Sequence, residues 1–291
     1  MNDDYELIDS GDGRKLERFG DVTLVRPAGQ VAWRPSLPDT AWQNVSACFD
    51  RKEGNCWHNR HKLPDQWTIT VAGIIFKLSS TDFGHLGIFP EQRVMWNWIR
   101  KAVQDRKAKS NVISLLNLFA YSGGSTLAAA QGGAEACHLD ASKGMVEWAR
   151  ENAALNKLQD APIRWIVDDA LGFLRREVKR GRRYDGIILD PPSFGRGKKG
   201  EVFKLQDQLP ELLKICRNLL SEHPAFFLLS CHTPEYSPMI LNNLLTQLLK
   251  DMNGTTDCGE MLLTGKPGVT PLPSGAFARW VSAGNVLKGE K

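Results

Sequence analysis

The string Asp190-Pro191-Pro192-Ser193-Phe194 follows an apolar run, Ile187-Ile188-Leu189. Each proline ring fixes its own φ and restricts the residue before it, so the carboxylate is held rigidly. Such an aspartate, or a proline carbonyl, can hydrogen-bond the polar edge of a planar substrate while Phe194 stacks on its face. Upstream, the chain reads Asn117-Leu118-Phe119-Ala120-Tyr121-Ser122-Gly123-Gly124-Ser125-Thr126. Glycines there permit a tight turn and a close backbone approach to a ligand, and a following helix offers free N–H groups. Asp140 stands 17 positions after Gly123. At a strand end it can accept hydrogen bonds from both hydroxyls of a ribose, with an N-cap of the next helix as the blander role. Asp169 is placed to accept from an adenine amino group, leaving Asp168 solvated or a cap.

These groups need a scaffold that brings them to one place. From about residue 93 onward apolar strands alternate with helical stretches, the pattern of a parallel sheet covered on both faces. Strands are expected at residues 112–119, 136–139, 163–167, 184–189 and 225–229, with β candidates at 260–263 and 277–282. Ser142 is expected to cap the helix after Asp140, and Pro238 to open the last one. The expected fold is α/β, with a Rossmann-like sheet whose C-terminal strand ends carry the ligand. Residues 1–85, broken by Gly11, Gly13, Pro27, Pro35, Pro38 and Pro64, read as a small, mainly β lobe. Residues 86–291 read as the catalytic domain. Trp33, Trp42, Trp57 and Trp67 are expected to build a core or a lobe contact, stacking on bases being the sharper alternative.

In order and spacing, the Asn117 to Thr126 turn, Asp140, Asp169 and Asp190 to Phe194 resemble class I S-adenosylmethionine-dependent methyltransferases. Within that superfamily the chain is most similar to the bacterial large-subunit ribosomal RNA cytosine-C5 methyltransferase group. The likeness runs from about residue 65 to 282 and includes Gly87-Ile88-Phe89-Pro90-Glu91-Gln92-Arg93. It departs from the group in two ways: no recognisable PUA-type RNA-binding domain at the N-terminus, and only Gly123 and Gly124 of the fuller glycine pattern. The resemblance implies a seven-stranded sheet that binds S-adenosyl-L-methionine. The methionine part would lie near Arg93 and the turn of Asn117, Phe119, Ala120, Tyr121, Ser122, Gly123 and Gly124. The ribose would rest on Asp140, the adenine beside Asp169, and Asp190, Pro191, Pro192 and Phe194 would face the target base. In the RNA pyrimidine-C5 group a cysteine placed like Cys231 adds to C6 of the base, which requires a thiolate. A small buried residue without chemical role is the equal alternative. His232 is adjacent, and neighbours on an extended backbone point opposite ways.

The chain has 291 residues with a formal charge of +4, too mild to establish a polyanion partner. Residues 1–90 hold 10 basic and 12 acidic side chains, so the surplus lies beyond them. Arg175, Arg176, Lys179, Arg180, Arg182 and Arg183 fall at the end of a helix returning to the far sheet edge, where a solvated face is expected. Arg196, Lys198 and Lys199 follow Phe194 directly and are expected to meet RNA phosphates. The six cysteines are expected to be reduced thiols in a cytoplasmic protein. No metal is expected, because the spacing of Cys48, Cys56, His58 and His61 fits no standard zinc site. No apolar stretch suits a membrane span. The reading is thus a methyltransferase acting on an RNA base, ribosomal RNA and pyrimidine C5 preferred. An exocyclic amine is the first alternative. A nicotinamide-dependent oxidoreductase and a non-catalytic RNA-binding module are the others.

Overall fold

Charged strands at the N-terminus are held by their polar side chains as much as by their apolar ones. The computed structural model describes residues 3–51, 54–108, 112–196 and 202–285, and divides into two units. The first comprises Met1–Arg93 and Leu262–Ser274. Its strands β1 (Tyr5–Gly11), β2 (Arg14–Phe19) and β3 (Val22–Pro27) form an antiparallel meander. After α1 (Asp39–Gln43), β4 (Ala47–Asp50) pairs parallel to β3, and β5 (Cys56–His58) completes this five-stranded sheet. A hairpin of β6 (Trp67–Val71) and β7 (Ile74–Leu78) stands beside it in sequence.

Glu17 on β2 is fully buried, taking two bonds from the Arg26 guanidinium at 2.8 and 3.0 Å and one from the Tyr5 hydroxyl at 3.1 Å. Burial alone would raise its pKa; Arg26 and Lys15 outweigh that and hold it below the usual carboxylate range. The tryptophans belong to the unit's own packing. Trp33 donates to Ser10 Oγ, Trp57 to the Thr81 carbonyl and Trp67 to the Phe19 carbonyl, while Trp42 is buried. Segment 262–274 falls within residues 86–291, which the sequence assigns to the larger domain, yet its contacts are with the first unit. It joins the first unit through bonds such as Leu7 N–H to the Thr264 carbonyl and Gln30 Nε2 to the Pro273 carbonyl.

The second unit, Val94–Met261 and Gly275–Lys291, is built on strands buried on both faces, hence their unbroken apolar runs. In chain order it holds most of α2 (Arg93–Lys107), then β8 (Ser114–Leu118), α3 (Gly124–Gly132), β9 (Glu135–Asp140), α4 (Lys143–Leu155), β10 (Ile163–Val167), α5 (Ala170–Lys179) and β11 (Gly186–Leu189). A small hairpin, β12 (Phe194–Arg196) and β13 (Val202–Lys204), precedes α6 (Leu205–Leu219), β14 (Phe226–Cys231), α7 (Pro238–Leu248) and most of β15 (Gly254–Leu263) and β16 (Leu272–Ser282). The sheet order is β10-β9-β8-β11-β14-β16-β15. The first five strands run parallel, and β16 is antiparallel to β14. This is the seven-stranded α/β sheet expected from the sequence.

Helix boundaries follow local chemistry. Ser142 and Ser237 accept the backbone N–H groups of Met145 and Ile240 as N-caps, and Pro238 occupies the first turn of α7. On α5, Glu177 is buried and receives Tyr184 Oη at 2.5 Å, Arg180 at 3.0 Å and Arg164 at 3.3 Å. Among the described residues no helix is long and apolar enough to cross a membrane.

Candidate functional site

Strand register decides what meets at the C-terminal edge of the sheet. Leu118 lies opposite both Leu139 and Leu189, Asp140 opposite Val167, and Leu189 opposite Leu229. The segments that follow these positions, holding Phe119–Gly123, Asp140, Asp168–Asp169, Asp190–Phe194 and Cys231–Thr233, therefore open onto one edge. There the strand order reverses between β8 and β11, the crevice where open α/β sheets take ligands.

The turn after β8 is strained. Phe119 and Tyr121 have φ of 56° and 49°, and Gly123 has φ of 97°. Side-chain-bearing residues pay for such values, and they persist where surrounding structure imposes them. Three anchors do so here: Ala120 N–H bonds the Leu139 carbonyl at 3.0 Å, Tyr121 N–H bonds Asp140 Oδ2 at 2.9 Å, and Asn152 Nδ2 from α4 reaches the Ser122 carbonyl at 2.9 Å. Beneath the turn, Asn117 Nδ2 donates to Thr126 Oγ1 at 2.8 Å, which lies 2.9 Å from His138 Nδ1. All three are buried, and desolvation lowers the His138 pKa to about 3, so its ring is neutral. Asn117 thus supports the turn from below. Thr126→Val is expected to lower unfolding free energy by about 2 kcal/mol by leaving Asn117 and His138 partly unsatisfied; a denaturation midpoint unchanged from the parent would show that this chain is dispensable.

Asp140 accepts at both oxygens, from Tyr121 N–H and from Ser142 N–H at 2.8 Å. Since Ser142 caps α4, Asp140 is not the helix cap. Its pKa is raised by burial, partly offset by the two N–H bonds. A carboxylate has about four lone-pair sites, so two remain for the vicinal hydroxyls of a ribose. The strained turn, the start of α3 and this carboxylate together fit an adenosine-bearing cofactor.

Several residues sit otherwise than their sequence reading. The cap of α5 falls to the second of the adjacent aspartates: Asp169 is its N-cap, with Oδ2 accepting Gly172 N–H at 2.6 Å, whereas Asp168 accepts Asp169 N–H and pairs with Arg176. A β-region residue directly before a helix is the natural cap, and Asp169 is that residue. Gly124 answers a packing need, because a Cβ there would stand 2.6 Å from the Trp96 ring of α2. Arg93 turns to its own unit, toward Thr264, 3.6 Å from Asp3 and 5.9 Å from the Tyr5 ring centroid. The arginines of α5 are not merely solvated: Arg175 pairs with Glu211 and Arg180 with Glu177.

Cys231 is 1% exposed and packs in the apolar cluster with Leu229, Ala276 and Leu205. Burial raises its pKa against the hydrogen bonds of Thr233, which favours the neutral thiol. Strand alternation turns the next side chain the other way: His232 Nε2 lies 3.6 Å from Asp190 Oδ2. The Asp190 turn is tied to the same strand end, Ser193 Oγ being 2.6 Å from Thr233 Oγ1. Pro191 is buried and Pro192 exposed, while Phe194 is 50% exposed. Phe203 of β13 packs its ring 5.1 Å from that of Phe119. Arg196 ends β12, and Lys198 and Lys199 lie outside the described residues. A cavity of about 790 Å³ lies at the opposite sheet edge, with Arg106 and Arg217 in its wall. Both stand in the last turns of helices, where cations offset the helix dipole, so its charge needs no ligand to explain it.

The family described as S-adenosylmethionine-dependent methyltransferase matches residues 32–245. A crystal structure of an S-adenosylmethionine-dependent methyltransferase from Agrobacterium tumefaciens is 40% identical, with a TM-score of 0.89 over 96% of this chain and 90% of that one. Ribosomal RNA large subunit methyltransferase K/L of Colwellia psychrerythraea is 35% identical over 174 residues, 59% of this chain and 23% of that protein. Ribosomal RNA large subunit methyltransferase K of Neisseria meningitidis is 28% identical over 222 residues, 72% of this chain and 61% of that protein. The chain spans about a quarter of the length of the K/L proteins.

Proposed function

The chain belongs to the S-adenosylmethionine-dependent methyltransferase family, and from that premise we propose that its acceptor is a nitrogen on a base of RNA, ribosomal RNA being the class. The membership removes the nicotinamide reading of Gly123 and Asp140. The kind of RNA is supported by the names of the K and K/L relatives. The choice of nitrogen over pyrimidine C5 rests on the buried Cys231 thiol, since C5 attack requires a thiolate at that place whereas a nitrogen lone pair needs no covalent activation.

When bound, S-adenosyl-L-methionine supplies an electrophilic methyl on a sulfonium sulfur. The turn of Phe119, Ala120, Tyr121, Ser122 and Gly123 borders its methionine part in this reading, and Asp140 takes the ribose hydroxyls. Asp169 fixes the start of α5 and presents Oδ1 to the adenine amine. Asp190 accepts an N–H of the base and aims the nitrogen lone pair at the methyl carbon. Its direction is set by Pro191 and Pro192 and by the Ser193 to Thr233 bond. The half-exposed ring of Phe194 stacks on the base. Arg196, Lys198 and Lys199 are assigned to flanking phosphates. In this reading the protein works in the cytoplasm, the support being the ribosomal RNA named for the K and K/L relatives.

Nucleoside mass spectrometry of large-subunit ribosomal RNA incubated with the protein and cofactor tests the reading. A nitrogen-methylated base is expected, and Cys231→Ala should retain at least about half the activity while losing about 1 kcal/mol of stability. A 5-methylpyrimidine product, or inactivity of a folded Cys231→Ala protein, would restore the covalent mechanism.

A further inference from the structure

Two chain segments far apart in sequence converge on one carboxylate. Asp190 ends the run of β11, and His232 follows the last residue of β14. Their side chains are 25% and 31% exposed, so both reach the open edge while standing partly out of water. Room for the imidazole is provided from β16. Gly275, at φ of 148°, faces it, and a Cβ there would lie 3.1 Å from His232 Nδ1 and 3.0 Å from the Cys231 carbonyl oxygen. The Ser193 to Thr233 bond clamps the two segments on either side of the pair. The Cys231 thiol, Glu235 and Tyr236 are further titratable groups at this strand end. Asp190 Oδ2 stands 3.6 Å from the ring nitrogen Nε2.

Resting on the nitrogen-acceptor reading above, we propose that His232 is a positioning residue that orients the Asp190 carboxylate toward the acceptor nitrogen and takes over the proton which that nitrogen releases. The balance is simple. The nitrogen lone pair forms the N–C bond, the C–S bond breaks with its electron pair staying on sulfur, and the nitrogen, now positively charged, gives one proton to Asp190. From Asp190 the proton passes to His232 Nε2, restoring the carboxylate. A neutral imidazole is needed to receive it, so turnover falls as pH drops through the His232 pKa, the ordinary histidine value being about 6.5.

Two measurements test the proposal, one without turnover. In an NMR titration of the free protein, Asp190→Asn should lower the His232 pKa. In kinetics, His232→Ala should reduce kcat by about 10- to 100-fold with KM for RNA within about twofold, and should abolish the acid limb of the pH profile. His232→Gln, which can still donate to Asp190, should recover part of kcat without recovering that limb. His223→Ala, in the wall of the cavity at the opposite sheet edge, is the control. An unmoved His232 pKa in Asp190→Asn, or a parental kcat and pH profile in His232→Ala, would overturn the role. Absence of any nitrogen methylation by the parent protein would instead overturn the reading on which it rests.

Discussion

Replacement of Asp190 by Ala is expected to slow methyl transfer by about 10³-fold, close to 4 kcal/mol of barrier, while cofactor affinity stays within about threefold. The size follows from geometry. A nitrogen in a base ring system has its lone pair partly delocalised, and it attacks well only when held in line with the methyl carbon, so orientation carries much of the barrier. Asp190 is the acceptor that can fix it. The Asp190 carboxylate follows a strand buried on both faces, precedes two prolines that restrict its backbone, and meets His232 at 3.6 Å. Removing it leaves the acceptor free to rotate and the developing positive charge without a partner, losses of the size seen when one preorganised electrostatic group is deleted. Asp190→Asn keeps the shape and one acceptor atom, so its defect should be smaller, about 10²-fold. Single-turnover measurements at saturating cofactor, with calorimetry for affinity, separate the two effects. Parental single-turnover rates in Asp190→Ala would remove the residue from the chemistry.

Much of the second unit was legible in the sequence because parallel strands carry their burial openly: Ile187-Ile188-Leu189 and Phe226 to Leu229 admit one interpretation. Asp140 was legible because a strand end followed by a serine cap leaves it one place to point. The strands β1 and β2 were not, since Tyr5–Gly11 and Arg14–Phe19 alternate apolar with charged residues, and the stability of Glu17 depends on Arg26, Lys15 and Tyr5 arriving from elsewhere. The same holds for segment 262–274, whose bonds to Leu7 and Gln30 span more than 200 residues.

Two placements at the site turn on a single residue of phase. Asp168 and Asp169 are chemically alike, and the start of α5, known only to within a residue from sequence, decides which of them caps it. Cys231 and His232 are neighbours on a strand, and which one faces the core depends on the phase of alternation, a one-residue matter. Sequence located the strand ends; the structure supplied the phase. With the phase fixed, a residue set aside for pointing the wrong way becomes the one beside Asp190. The same phase turns Cys231 into the apolar core.

The cofactor side rests on Asp140, and here the expected result is a loss of about 10² to 10³-fold in S-adenosyl-L-methionine affinity for Asp140→Ala. Two contributions add. The carboxylate loses its direct acceptor role toward the ribose hydroxyls, charge-assisted bonds worth about 1.5–3 kcal/mol. It also releases the Tyr121 and Ser142 N–H groups, so the strained turn at Phe119 and Tyr121 loses an anchor and relaxes away from the bound geometry. Asp140→Asn separates these, because an amide presents one oxygen and one NH₂ group. It can hold one of the two N–H groups and opposes the other, so its affinity should fall between parent and Ala. Acidification offers a further test. The Asp140 pKa is raised in the fold by burial, so ionising this one group costs some stability as pH rises through that value. Cofactor binding, which uses the ionised form, weakens as pH falls through the same value, above the ordinary carboxylate figure of about 3.9. Calorimetric affinity measured from pH 7 downward should show that decline in the parent and a flatter course in Asp140→Asn; identical pH courses would take Asp140 away from the ribose.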